Sequence, residues 1–66
     1  MRWMTLTERE KEIARLAAGG KRNETIAREL FLSKRTVGNH LQNIYEKMNI
    51  TSRGELKHIV PKLRDP

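Results

Sequence analysis

Apolar residues recur every three or four positions along the chain, and short polar or glycine-containing breaks divide this pattern into four segments. This spacing places the apolar side chains on one face of an α-helix, whereas a half-buried strand would require strict alternation. The pattern predicts helices over about residues 8–18, 24–31, 34–48 and 53–60. We therefore expect an all-α, four-helix bundle-like fold in which residues 1–66 form a single domain.

Residues that begin and end helices lie at the borders of these segments. A hydroxyl or amide side chain at a helix start can accept a hydrogen bond from a backbone N–H that has no partner inside the helix. The expected N-caps are Thr7, Asn23, Ser33 and Ser52. Glu10 follows Thr7 by three residues, as in a capping box. Gly19 and Gly20 are expected to end the first helix, and Pro61 to end or kink the fourth.

Only a few residues separate the second predicted helix from Ser33, the expected N-cap of the third. Two helices joined by so short a turn form a helix-turn-helix unit, whose second helix can lie in the major groove of DNA. Ala27 supplies a small side chain where the two helices must approach each other. The third helix, residues 34–48, is therefore the expected recognition helix.

The third helix separates apolar from polar side chains. Its apolar stripe consists of Val37, Leu41, Ile44 and Met48, with Tyr45 at the edge. Its opposite face and flanks carry Lys34, Arg35, Gly38, Asn39, Gln42 and Asn43. Asn and Gln can form paired hydrogen bonds with adenine, and Arg or Lys with guanine, so these residues are candidate base or groove contacts. The face carries no acid until Glu46, whereas a solvated face usually mixes Glu with Lys. On this evidence alone, a merely solvated face is the alternative.

The charge of the chain favours a polyanionic partner. Fourteen Lys and Arg residues against eight Asp and Glu residues give a net charge of +6 and a pI near 10.3. Such a field favours nucleic acid first and an anionic membrane second. No apolar run approaches the roughly 18 residues of a membrane span, and no signal peptide is evident. We therefore expect a cytoplasmic protein without membrane contact.

The sequence offers no candidate for catalysis or metal binding. It contains no cysteine, and His40 and His58 lie on different predicted helices. A metal site needs three or four converging ligands, and no third ligand is evident. The glycines before Lys21 lack the strand and the spacing of a phosphate-binding P-loop. We expect neither an enzyme nor a cofactor or metal site.

The order and spacing of several motifs resemble the LuxR-type DNA-binding domain, also called the GerE or NarL/FixJ type. The motifs are LTERE at the first helix, NETIAREL at the second, SKRTVGNH at the start of the third, and IYEKM followed by TSR. They extend from Leu6 through Arg53 and cover most of the chain. The resemblance implies a bacterial transcription regulator with four helices, the third in the major groove and the fourth in homodimer contact. In this family the domain usually follows a phosphorylated receiver or a ligand-binding domain, which suggests a response regulator of a two-component system; a stand-alone domain is the alternative.

The resemblance also implies roles for individual residues. The expected contacts to the DNA phosphates are Thr36, His40, Lys47, Asn23 and Ser33. Glu10 and Arg53 match a charged pair of positions that ties the first helix to the fourth. That last role would be structural rather than functional.

Gly38 departs from the family and from helix propensity. The position after the TV pair is usually Lys or Arg in the family, where it supplies a groove contact. Glycine inside a helix costs about 1 kcal/mol relative to alanine. We hypothesise that the missing side chain lets the helix approach DNA closely, while Asn39 and Gln42 take over the readout. The alternative is that this chain relies less on that contact.

The fourth helix carries more apolar side chains than so small a core should need. They are Leu56, Ile59, Val60 and Leu63. Part of this stripe is expected to contact a second copy of the chain, and the alternative is that all of it closes the intramolecular core. Two further functional alternatives remain at this point. One is a sigma-like promoter-recognition unit with RNA polymerase as its main partner, and the other is a protein-interaction module whose basic charge is incidental.

Overall fold

A computed structural model describes residues 2–60. These residues form a short 3₁₀ helix, Arg2–Thr5, followed by α1 (Glu8–Ala18), α2 (Asn23–Leu30), α3 (Lys34–Met48) and α4 (Arg53–Ile59). No strand occurs within residues 2–60. The all-α prediction is confirmed, and every observed helix border lies within one residue of the predicted border.

Side-chain caps fix the starts of three helices. Thr7 Oγ1 accepts a hydrogen bond from Glu10 N at 3.1 Å, and Glu10 Oε1 accepts one from Thr7 N at 2.9 Å, which completes the predicted capping box. Ser33 Oγ accepts from the backbone of α3 at 3.0 Å, and Ser52 Oγ from the backbone of α4 at 3.4 Å. These local signals explain why the predicted starts of α1, α3 and α4 agree with the structure.

Both ends of α2 differ from the prediction. Asn23 is the first helical residue rather than the N-cap, and Arg22 occupies the N-cap position without a side-chain hydrogen bond. The Oδ1 of Asn23 instead accepts a hydrogen bond from Arg53 Nη2 of α4. At the other end Phe31 has a φ of 58°, a left-handed conformation that bulky residues rarely adopt, and its side chain is 95% exposed.

The hydrophobic core lies where the four helices meet the N-terminal 3₁₀ helix. Its fully buried large side chains are Ile13, Ile26, Val37, Ile44 and Leu56. Each contributes about 1.5–3 kcal/mol relative to an exposed position. Trp3 and Leu6 are buried in the same cluster, and the Arg15 guanidinium lies 5.5 Å from the Trp3 ring centroid. The N-terminal segment, to which the sequence analysis gave no structural role, therefore completes the core.

The apolar stripe of α4 is used mainly inside the molecule. Leu56 is fully buried, because α4 packs against α1 and this side chain closes the core. Leu56 therefore cannot contact a second copy of this fold, contrary to the prediction. Ile59 and Val60 are half-buried against the core and keep some exposed surface. The fourth predicted dimer residue, Leu63, lies outside the described residues.

Candidate nucleic-acid interface

The polar face of α3 is exposed along most of its length. The exposed side chains on this face are those of Lys34, Arg35, Asn39, Gln42 and Asn43, whereas Gly38 is partly covered. The apolar stripe on the opposite side is buried, and the first turn contains no acidic residue. The predicted base-contact residues therefore share one surface on which cations and amides occur together.

The start of α3 is held by a pair of hydroxyl groups. Ser33 Oγ accepts from Thr36 N at 3.0 Å and donates to Thr36 Oγ1 at 2.8 Å. The first backbone N–H groups of a helix carry a partial positive charge, to which Lys34 and Arg35 add. Ser33 and Thr36, both predicted phosphate contacts, thus lie together at a cationic helix start. Their hydroxyl groups also hold the helix end in place.

Some of the cations form ion pairs with glutamates, and others do not. Arg9, Lys11, Lys21 and Lys47 each pair with a glutamate at N–O distances of 2.5 to 3.6 Å. Within the described residues, the Lys and Arg side chains in no ion pair include Arg22, Arg28, Lys34, Arg35, Arg53 and Lys57. All of these follow α1 in the chain. These six cations lie on α2, α3 and α4 or directly before α2.

Lys47, a predicted phosphate contact, has a partner within the chain. Its Nζ lies 2.8 Å from Glu10 Oε1, and the Glu10 side chain is only 6% exposed. Burial by itself raises the pKa of Glu10, but the hydrogen bonds from Lys47 and Thr7 and the charge of Lys47 outweigh it and lower the pKa below 4.5. Lys47 therefore ties α3 to the capping box of α1.

Arg53 forms a second link between helices. Its Nη2 donates to Asn23 Oδ1 at 2.5 Å, so α4 is tied to α2. The predicted link between Glu10 and Arg53 is wrong, because each residue has a different partner. Arg53 is not among the functional residues predicted from the sequence. The TSR motif singled it out, but its partner lies 30 positions away in the chain.

A shallow, open pocket lies between α2, α3 and the start of α4. Its volume is about 210 Å³, and it is lined by Asn23, Gly38, Leu41, Gln42, Tyr45 and Arg53. A Cβ atom added to Gly38 would meet no protein atom closer than Asn23 Nδ2, at 4.0 Å. The fold therefore does not require glycine here, and its absent side chain keeps the pocket open.

The remaining chemistry of the described residues is limited. His40 is half-buried on α3, His58 lies on α4, and no group of His, Asp and Glu side chains within the described residues is arranged to hold a metal ion. Among residues 2–60, no helix combines the length and the apolar content needed to cross a lipid bilayer.

Comparison with known proteins agrees with this geometry. A model of the family described as bacterial regulatory proteins, luxR family, matches residues 4–60. The transcriptional regulatory protein YvfU of Bacillus subtilis is 48% identical over 54 residues, which cover 82% of this chain and 27% of that protein. The spore germination protein GerE of the same organism is 40% identical over 50 residues, which cover 76% of this chain and 68% of that protein.

Other relatives are much longer than this chain. A Mycobacterium bovis protein named as an HTH-type transcriptional regulator is 43% identical over 54 residues, which cover 82% of this chain but 6% of that protein. The chain thus spans only a small share of the first curated relatives that it matches. No solved structure gives a significant match.

Proposed function

The chain belongs to the luxR family of bacterial regulatory proteins, and on that premise we propose that it reads duplex DNA with α3 in the major groove. Family membership makes it a helix-turn-helix, DNA-binding transcription regulator domain. The observation that carries the proposal is the exposed face of α3, where amides and cations stand together and no acid precedes Glu46. The family match favours this function over a sigma-like unit or a protein-interaction module.

Base readout is assigned to the amide side chains of this face. Asn39, Gln42 and Asn43 are exposed, and among the described residues none of them has a side-chain partner. An amide can donate to and accept from the edge of adenine at the same time, which discriminates between bases in the major groove. These three residues therefore supply the sequence specificity in our proposal.

Phosphate contacts are assigned to the rim of this surface. Lys34 and Arg35 extend from the helix start without ion pairs, while Ser33 and Thr36 present hydroxyl groups beside them. Contacts of this kind position a protein on DNA but carry no sequence information directly. His40 and Asn23 remain proposed contacts. Lys47 is left out of this set, because its ammonium group is paired with Glu10.

We further propose that two copies bind together on DNA. Ile59 and Val60 keep exposed surface at the end of α4, and of the predicted dimer residues these two support such a contact. A two-fold arrangement predicts inverted half-sites about one DNA turn apart. The wider setting that we propose is a cytoplasmic response regulator of a two-component system that acts on transcription by RNA polymerase.

Selection of duplex DNA from a random pool with this chain tests the proposal directly. It should enrich a defined sequence and, if two copies bind, a repeat with the predicted spacing. Asn39→Ala should then weaken binding to the selected duplex by about tenfold or more and barely affect random duplex, since a good base contact contributes about 1–3 kcal/mol of discrimination. Lys34→Ala should weaken binding to both duplexes equally. Equal losses from Asn39→Ala on both duplexes would refute the base-reading role.

A further inference from the structure

The pocket beside Gly38 is lined by more hydrogen-bond donors than acceptors. The guanidinium group of Arg53 has five N–H donors. Among the described residues, only one of these donors, on Nη2, has a hydrogen-bond partner. Its Nε is buried and has no hydrogen-bond partner among the described residues. Asn23 adds the donor Nδ2, which also has no hydrogen-bond partner among the described residues. Gln42 adds an exposed side-chain amide. No carboxylate lines the pocket, so its charge is positive.

We infer that this pocket binds one phosphodiester group of the DNA, with Arg53 as the residue that holds it. The inference rests on the proposed function, because the pocket borders the α3 face assigned to the major groove. A phosphodiester offers two anionic acceptor oxygens and no donors, which matches a guanidinium and amide lining. A base edge fits less well, since the major-groove edges of adenine and cytosine include a donor, and those of guanine and thymine offer acceptors without negative charge.

Gly38 explains how a phosphate could reach this position. Any side chain at residue 38 would begin at the pocket wall, where its Cβ would lie 4.0 Å from Asn23 Nδ2. A longer side chain would then occupy the space in front of the donors. In this chain the glycine exposes Arg53, a cation that belongs to α4 rather than to the recognition helix. The glycine makes the helix less stable, but its small size permits a contact between α4 and the DNA backbone.

The variant Asn23→Asp distinguishes between two roles of Arg53, phosphate binding and a purely structural contact. The aspartate keeps the acceptor that Arg53 uses and lies in the first turn of α2, where negative charge is favourable, so the fold should be preserved. The same carboxylate would neutralise Arg53 and repel a phosphate. Affinity for the selected duplex and for random duplex should fall by about tenfold or more.

Asn49→Asp is the matched control, because it makes the same change of charge outside the pocket. Asn49 is exposed at the end of α3 in a left-handed conformation that Asp also tolerates. This variant should reduce affinity for both duplexes by no more than about twofold, since a charge at a distance from the phosphate is screened by salt. Equal losses from Asn23→Asp and Asn49→Asp would overturn the inference.

Arg53→Gln tests the cation itself. The salt dependence of binding, measured as the slope of log affinity against log salt, should become shallower by about 0.9, as expected when one phosphate contact is lost. Duplexes in which single phosphates are replaced by neutral methylphosphonates should identify one position where the wild-type chain loses affinity and Arg53→Gln loses nothing further. If Arg53→Gln does not fold, the methylphosphonate scan is repeated with Asn23→Asp, which should be equally insensitive at that position.

These outcomes distinguish the pocket from the wider proposal. If the wild-type chain enriches no duplex sequence, the proposed function itself fails. If it binds a selected duplex while folded Arg53→Gln keeps the wild-type affinity and salt slope, only the phosphate pocket is refuted. A methylphosphonate scan in which every position affects both chains equally would refute the pocket in the same way.

Discussion

Replacing Lys47 by methionine tests the ion pair that joins α3 to the capping box of α1. The change removes the ammonium group while keeping an unbranched side chain of similar length. It leaves the Glu10 carboxylate 6% exposed with Thr7 N as its remaining hydrogen-bond donor, whereas the Lys47 side chain itself is 38% exposed. Breaking a fully buried pair costs about 3–5 kcal/mol, and losing an exposed pair costs about 0.2–1 kcal/mol. With one buried and one partly solvated partner, we expect a loss of about 2 kcal/mol.

The assay is thermal or denaturant unfolding followed by circular dichroism. For a chain of this size, a loss of about 2 kcal/mol corresponds to a fall in Tm of roughly 8–16 °C. The matched control is Arg9→Met, which breaks a 3.5 Å pair with Glu12 whose side chains are 44% and 51% exposed. That control should cost at most about 0.5 kcal/mol. Equal effects of Lys47→Met and Arg9→Met would refute our account of the buried pair.

The pH dependence provides an independent check of sign. The folded-state pKa of Glu10 is lowered below 4.5, so the ion pair stabilises the wild-type chain above that pH, and this contribution is lost as pH falls through the folded-state pKa. The difference in stability between wild type and Lys47→Met should therefore be largest near neutral pH and shrink in acid. A difference that stays constant from pH 7 to pH 3 would contradict the assignment to Glu10. Well below its Tm, Lys47→Met should still bind the selected duplex, as expected of a residue with a structural role.

Two further substitutions test the backbone at Phe31 and Gly38. Phe31→Asn should raise the free energy of unfolding by about 1 kcal/mol, because Asn tolerates the left-handed conformation and the 95% exposed ring contributes little burial; a lower Tm would show that the ring stabilises the turn. Gly38→Ala should raise it by about 0.5–1 kcal/mol, because the added Cβ meets no atom closer than 4.0 Å; a destabilised variant would show that the fold itself requires the glycine. Both are measured by denaturant unfolding with the wild-type chain as reference.

Local signals account for most of what the sequence predicted correctly. The borders of α1, α3 and α4 follow from apolar spacing and from caps only a few residues away, such as Thr7 with Glu10. The N-cap of α2 was misassigned, since Arg22 occupies that position, and no local pattern reveals that Asn23 bonds to Arg53, 30 positions later. The ion pair between Lys47 and Glu10 was not predicted for the same reason, since Glu10 lies 37 positions away.

The spacing of apolar residues along α4 could not predict which of them are buried in the core. Periodicity places Leu56, Ile59 and Val60 on one side of the helix, but it cannot apportion that side between the core and a second copy. The fold does so, because α4 packs against α1 and buries Leu56 completely while Ile59 and Val60 lie at the margin. The face that suggested a dimer contact is thus shared, since the core takes Leu56 completely and leaves Ile59 and Val60 partly exposed.

Three glutamates of α1 pair with cations of α1 and with Lys47 near the end of α3, whereas the cations at the start of α3 have no such partner among the described residues. Arg9, Lys11 and Lys47 each have a carboxylate partner on α1, whereas Lys34 and Arg35 have none in the part of the chain that the structure describes. If the net charge of +6 were spread evenly over the surface, it would attract any polyanion weakly. Leaving cations unpaired around α3 instead concentrates the field beside the amides that can discriminate between bases. Gly38 fits this division, because it removes a cation typical of the family from the helix face while its pocket leaves a different cation, Arg53, accessible from the same side.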